Sequence, residues 1–317
     1  MLRPAWPREF RMQDLLRGLL RASLRLLFKS VIGRPIPEKF QRAWMLFVTS
    51  ITLRASGTTS EQGHWGVPGV WVRHRDSDDR RIVLYLHGGG YTLGSPKTHK
   101  SLTSHLAAAA RCQVLVPDYR LAPEHPYPAA LEDALSAYRS LLDRYLPGSI
   151  ALAGDSAGGG LALCTAIALR EAGLPMPASL ILLSPWTDMS LSGSTIDSLD
   201  VVDPMLGRAW LQRAGDAYRG DLAATDSRVS PLNAALDGLP PMLIQVGSDE
   251  ILLDDSRRLV AKAHAIGLRA QLEVEDGYWH DFQVHAGMLD ASDAAIGRIA
   301  GFLQETWAVP TYTRVLA

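Results

Sequence analysis

Three things are scarce in this chain of 317 residues: cysteine, net charge and uninterrupted apolar sequence. Only two cysteines occur, Cys112 and Cys164, too few for a disulfide framework and at no metal-ligand spacing. Each sits among apolar neighbours and reads as core packing, which suits a reducing compartment, so a cytoplasmic location is expected. The formal net charge of −1 offers no global field to attract nucleic acid, and no nucleic-acid motif occurs. Nucleic acid is not an expected partner. Long apolar runs are missing too: the leucine-rich stretch from Leu15 to Phe28 is broken by Arg17, Arg21 and Arg25. A secretory core needs an unbroken apolar run of roughly 7–15 residues and a membrane span about 20, so this segment reads as neither.

What is present is ordinary for a globular protein, with 47% hydrophobic and 21% charged residues. The N-terminal segment reads as an amphipathic helix. Its arginines recur every fourth residue, and Leu16, Leu19, Leu20 and Leu27 lie toward another side. Such a helix packs with its basic face in water, covers an apolar pocket as a lid, or lies on a lipid surface.

Beyond it, Thr58 to Gly63 reads as a loop, followed by two short strands, His64 to Val67 and Val70 to His74. From Ile82 onward, strand-like runs alternate with helical stretches. The strands are Ile82 to Leu86, Gln113 to Val116, Ile150 to Ala153, Leu180 to Leu183, Met242 to Val246 and Ala270 to Val274. The helices lie near Lys100 to Arg111, Ala129 to Arg144, Gly159 to Ala172, Asp254 to Ile266 and Asp290 to Thr306. This alternation predicts an α/β fold with a mostly parallel sheet and helices on both faces. It breaks between Thr187 and Leu239, where a polar segment brackets a helix around Met205 to Tyr218. An insertion leaving a strand end is placed to cover the ligand crevice. The expected organisation is a cap segment over residues 1–57 and a catalytic domain over residues 58–317 carrying a cap insertion at about 188–225, after the sixth strand.

The chemistry centres on Gly154-Asp155-Ser156-Ala157-Gly158, between a short apolar strand and a helix. In that context a Gly-x-Ser-x-Gly run sets its serine on a sharp, exposed turn, which makes Ser156 the candidate nucleophile. A serine needs a base to take its proton and dipoles to meet the oxyanion. His87-Gly88-Gly89-Gly90 follows the strand Ile82 to Leu86, where backbone free of side chains brings N–H groups toward such an oxygen. The acid and base are expected after the last two strands, in the order serine, acid, histidine. Asp249 and His280 occupy those loops. Glu250, Asp254 and Asp255 compete with Asp249, the last two reading as helix caps. His285 and His87 compete with His280.

Together these stretches resemble the bacterial hormone-sensitive-lipase family of α/β-hydrolases, from about Ile82 to Gln283. The resemblance rests on His87 to Tyr91, Asp118-Tyr119-Arg120-Leu121-Ala122-Pro123-Glu124, Gly154 to Gly159, Ser184-Pro185-Trp186-Thr187-Asp188 and Gly247-Ser248-Asp249-Glu250, in the family's order. It implies an α/β-hydrolase fold and hydrolysis of short- to medium-chain carboxylic esters. Ser156 is then the nucleophile, His280 the general base, Asp249 its orienter, and the N–H groups of Gly88, Gly89 and Ala157 the oxyanion hole. Tyr91 and Trp186 are expected to line or support the substrate pocket, and Tyr119, Arg120 and Glu124 to brace the loop behind it. No metal or organic cofactor is implied. A small ester is the expected partner, with peripheral lipid contact through the N-terminal helix and homodimerisation as further expectations. An interfacial lipase, a lactonase or an amidase shares the fold; a hormone-binding module of the plant gibberellin-receptor kind lacks the histidine present here. One departure stands out: the family carries glycine or a small apolar residue after its histidine, and this chain carries Asp281. A carboxylate there raises the basicity of His280 or points to solvent.

Overall fold

The computed structural model describes residues 8–308. Eight strands form one sheet in the order β1-β2-β4-β3-β5-β6-β7-β8. They are β1 (Thr58–Trp65), β2 (Val67–His74), β3 (Ile82–Leu86), β4 (Gln113–Pro117), β5 (Ile150–Asp155), β6 (Ser179–Leu183), β7 (Met242–Gly247) and β8 (Ala270–Glu275). β1 and β2 pair antiparallel with each other, as does β2 with β4, and all later neighbours are parallel. Along the inner parallel strands successive side chains are buried in opposite cores. Ile82, Leu84 and Leu86 of β3 enter one core and Val83 and Tyr85 the opposite one. Period-two alternation inside a continuous apolar run requires helices on both faces.

Those helices are supplied in chain order. α3 (Lys100–Ala110) and the C-terminal α8 (Asp290–Ala308) cover the Val83 face, while α4 (Ala129–Leu142), α5 (Ala157–Glu171) and α7 (Leu253–Ala265) cover the other. The N-terminal helix α1 (Arg8–Ser23) continues through a π-helical stretch (Leu24–Lys29) into one further turn (Ser30–Ile32), and α2 (Glu38–Thr49) follows. The insertion after β6 carries α6 (Arg208–Arg219). α2 and α6 meet where Trp210 donates its indole N–H to Gln41 at 3.3 Å. Among the described residues no helix is long and apolar enough to cross a membrane.

Two local expectations fail for physical reasons. Thr58 to Gly63 belongs to strand β1, not to a loop: it is an edge strand with mostly exposed side chains, so its polar composition mimics a loop. The insertion helix begins at Arg208 because the buried Asp203 accepts hydrogen bonds from the amides of Met205 and Leu206 and holds those residues in a turn.

The basic stripe of the N-terminal segment also departs from expectation, since much of it is bound to protein. Arg21 donates to Asp249 Oδ2 at 2.6 Å and to the carbonyl of Val202 at 3.0 Å, and Arg25 donates to the same carbonyl at 3.1 Å. Lys29 reaches the carbonyls of Asp200 and Asp203. Arg17 lies over the Tyr278 ring, 5.6 Å from its centre. The charges bind the insertion and the β7 and β8 loops, while Leu20 packs with Trp279 and Phe282.

Candidate active site

β3, β5, β7 and β8 present their C-terminal ends on one side of the sheet, and the loops leaving them converge there. Ser156 follows β5 directly. Its backbone stands at φ 52° and ψ −121°, a strained conformation for a non-glycine residue, held by its N–H donating to Leu183 and by the start of α5. The turn closes only because its neighbours are small. A Cβ on Gly158 would collide with the carbonyl of Leu86, and one on Gly88 with the carboxylate of Asp155.

His280 leaves β8 and is buried. Its Nδ1 lies 3.1 Å from Glu250 Oε1. The other carboxylate oxygen of Glu250 accepts from Ser184 Oγ at 2.7 Å and from the Gly247 amide at 2.9 Å, so this buried anion is fully partnered. Asp249, the expected orienter, points away: it pairs with Arg21 and accepts from Ser248 Oγ at 2.9 Å. The acid beside the histidine is therefore Glu250. Successive side chains on a turn leave in different directions, and sequence order cannot choose between adjacent carboxylates. Asp254 and Asp255 lie in the first turn of α7, as expected of acids at a helix start, but their side chains do not cap it. They accept the amides of Ser194, and of Thr187 and Asp188, tying the insertion to the start of α7.

The rival histidines are poor bases. Burial pushes His87 down to about 3 and His285 down to about 4. His87 stacks on Tyr119, ring centres 4.2 Å apart, while the Tyr119 hydroxyl donates to the His87 carbonyl at 2.6 Å. Arg120 binds Asp133, and Glu124 accepts both Nη groups of Arg42 from α2, so that motif braces the loop and fastens the cap.

Behind the serine, Asp155 accepts from the Tyr85 hydroxyl at 2.7 Å and lies 3.1 Å from His99 Nε2. Burial alone would raise the Asp155 pKa, but the charge and hydrogen bond of His99 and the Tyr85 hydroxyl hold it down to about 2. The Gly88 amide also points at His99 Nε2, at 3.3 Å. Nε2 cannot both donate to Asp155 and accept from Gly88, so which of the two contacts is the hydrogen bond follows the tautomer of His99. The amides of Gly89 and Ala157 donate to no protein group among the described residues.

A cavity of about 300 Å³ opens over these groups, with Ser156, His280 and Asp281 at its floor and Leu20, Leu24, Phe28, Met45, Val48 and Trp210 among its walls. Tyr91 and Trp186, expected near substrate, do not line it. Tyr91 stacks on Tyr218 with ring centres 3.6 Å apart, and Trp186 donates its indole N–H to the Asp188 carbonyl, both buried beneath α6. From the sequence Glu250 stands only as a rival of Asp249, and Ser184 has no place in the site; it belongs to the Ser184-Pro185-Trp186 motif, whose place after β6 was its signal.

A buried serine on a strained elbow, a histidine beside a buried carboxylate and an apolar cavity define the class of serine hydrolases built on this sheet. A family model described as the alpha/beta hydrolase fold matches residues 83–284. The chain is 43% identical over 238 residues to an acetyl-hydrolase of Streptomyces hygroscopicus, covering 74% of this chain and 78% of that one. It is 38% identical over 239 residues to an esterase of Acinetobacter venetianus, with 75% and 78% covered. A crystal structure of an esterase from the bacterial hormone-sensitive lipase family superposes with a TM-score of 0.87 at 39% identity, covering 94% of this chain and 98% of the other. The chain belongs to the hormone-sensitive-lipase esterases of the α/β-hydrolase family and is a carboxylic ester hydrolase.

Proposed function

We propose that the protein hydrolyses short- to medium-chain acyl esters through an acyl-enzyme formed on Ser156. His280 takes the Ser156 proton as the hydroxyl attacks the ester carbonyl, Glu250 orients and stabilises the resulting imidazolium, and the amides of Gly88, Gly89 and Ala157 receive the oxyanion. His280 then returns the proton to the departing alcohol, and water repeats the sequence to free the acid. The observation carrying this reading is the contact of His280 Nδ1 with Glu250 beneath an apolar cavity that also holds Ser156. That cavity suits a modest acyl chain. The relative named acetyl-hydrolase supports the short end of that range, and the one named esterase supports ester hydrolysis. Residues 1–57, of which 1–7 lie outside the described residues, and the insertion at about 188–225 act as a cap on the catalytic domain at 58–317, of which 309–317 lie outside them. Purified protein assayed on p-nitrophenyl esters of graded chain length tests the proposal: an optimum at short to medium acyl chains is expected, and no turnover on any ester would overturn it.

A second reading, peripheral contact with lipid, is favoured by one observation. Leu15, Leu19, Leu26, Phe47 and Ile51 are exposed on the cap, and Phe47 and Ile51 also border the cavity. Apolar side chains gathered at a mouth suit insertion among acyl chains. Co-sedimentation with anionic liposomes tests it.

A further inference from the structure

Both ring nitrogens of His280 face carboxylate oxygens. Nδ1 meets Glu250 Oε1 at 3.1 Å, and Nε2 meets Asp281 Oδ2 at 3.0 Å. No hydrogen bond joins Ser156 Oγ to the ring among the described residues, although Nε2 is the nitrogen that must receive the serine proton. Asp281 is buried and held in a left-handed conformation, φ 53° and ψ 36°, with its N–H donating to Ser184 Oγ at 3.2 Å. Its other oxygen, Oδ1, is buried without a partner. Because Ser184 also donates to Glu250, one hydroxyl ties together the backbone of Asp281 and the carboxylate on the far side of the ring.

Proton counting gives this arrangement a meaning. With Nδ1–H donated to Glu250, contact between Nε2 and Asp281 needs a second proton, carried by the ring as imidazolium or by Asp281 as carboxylic acid. Without it a lone pair would confront a carboxylate, and the contact would be repulsive. The arrangement seen is thus the protonated one, in which His280 cannot act as a base. We propose that Asp281 competes with Ser156 for Nε2 of His280, so that loss of one proton from the histidine–aspartate pair both restores the base and drives the carboxylate off it. This inference rests on the ester-hydrolase reading of the site.

The surrounding charges support the same direction. Burial opposes charge on His280, but Asp281 and Glu250 raise its pKa well above the ordinary histidine value. Burial raises Asp281 to about 7 despite the pull of His280, with Asp155 and Glu250 adding repulsion. Asp155 and His99 face the pair from behind Ser156, and Asp203, raised by burial to about 6, faces His280 from the insertion. These neighbours remain when only Asp281 is changed, so a difference between variants isolates its contribution.

The test is kcat/KM against pH on p-nitrophenyl butyrate for the wild type, Asp281→Gly and Asp281→Asn. Glycine accepts the positive φ. The wild-type midpoint is expected above about 6.5, the unperturbed histidine value. In Asp281→Gly it is expected to fall by about one pH unit or more, giving about tenfold more relative activity on the acidic limb. Asp281→Asn should show the lower midpoint with a reduced plateau, because its amide still donates to Nε2. A wild-type midpoint at or below about 6.5 overturns the proposal without any variant. So does an unchanged midpoint in whichever variant folds. Ser156→Ala is the separate control: turnover surviving in it rejects the acyl-enzyme reading of the site, whereas its loss together with an immobile midpoint rejects the Asp281 proposal alone.

Discussion

Arg21 of the N-terminal helix sets its Nη1 2.6 Å from Oδ2 of Asp249, and both side chains are three-quarters buried. The pair joins the cap to the loop whose next residue, Glu250, touches His280. Two adjacent acids thus serve opposite sides of one turn, one facing the cap and the other the ring.

Substitution separates them. Glu250→Gln removes the charge that favours the imidazolium and permits the wrong tautomer, so kcat is expected to fall by about 10⁴-fold. Asp249→Asn loses an ion pair that is partly solvated and should cost less than about tenfold. Measuring kcat for both on one p-nitrophenyl ester decides the matter; equal losses, or a larger loss at Asp249, would return the orienting role to Asp249.

The two acids also mark how far the sequence could be read. Strand and helix periodicity reveals β3 to β7 and their helices because each strand is buried on both faces and reads as an apolar run, while β8, a partly exposed edge strand, shows only as Ala270, Leu272 and Val274 alternating with polar residues. β1 is hidden by its exposed edge, and the cap arginines by a regular spacing that says nothing of what lies opposite them. Ser156 and His280 are legible because local backbone chemistry and chain order single them out. Glu250, Ser184 and the burial of Tyr91 and Trp186 depend on which way a turn directs its side chains, and that is settled by contacts distant in sequence.

Ser156→Ala and His280→Ala are each expected to lower kcat by about 10⁶-fold. Ser156→Ala should leave the unfolding transition nearly unchanged, whereas His280→Ala should lower it, because Glu250 and Asp281 lose their buried partner. Circular dichroism melts beside the rate assay check this, and substantial turnover in either variant removes that residue from the mechanism.

Ser184 holds Glu250 and Asp281 from one hydroxyl. Ser184→Ala leaves a buried carboxylate oxygen with one partner fewer, so urea unfolding should show a loss of about 1–3 kcal/mol. A looser Glu250 misplaces the ring, and kcat should fall on the order of 10-fold with KM little altered. A variant that loses stability with full kcat would show that Gly247 alone suffices to hold Glu250.

The cap supplies the remaining prediction. Leu20, Leu24 and Phe28 wall the cavity, and Arg21, Arg25 and Lys29 bind the same segment to the insertion. Deleting residues 1–30 removes that wall and uncovers Trp279 and Phe282, which pack with Leu20. Solubility should therefore fall. An acyl chain gains about 0.8 kcal/mol for each methylene it buries, so kcat/KM should drop several-fold more for octanoate than for acetate esters, which have little chain to bury. If the exposed leucines instead serve mainly to hold the protein on lipid, truncation would abolish sedimentation with anionic liposomes and leave the chain-length profile intact. Because the wall and the exposed leucines lie on opposite sides of one helix, point variants divide the two effects: Leu20→Ala should change the profile, and Leu15→Ser with Leu19→Ser the liposome binding. A truncated protein with unaltered solubility, profile and liposome binding would leave the segment with neither role.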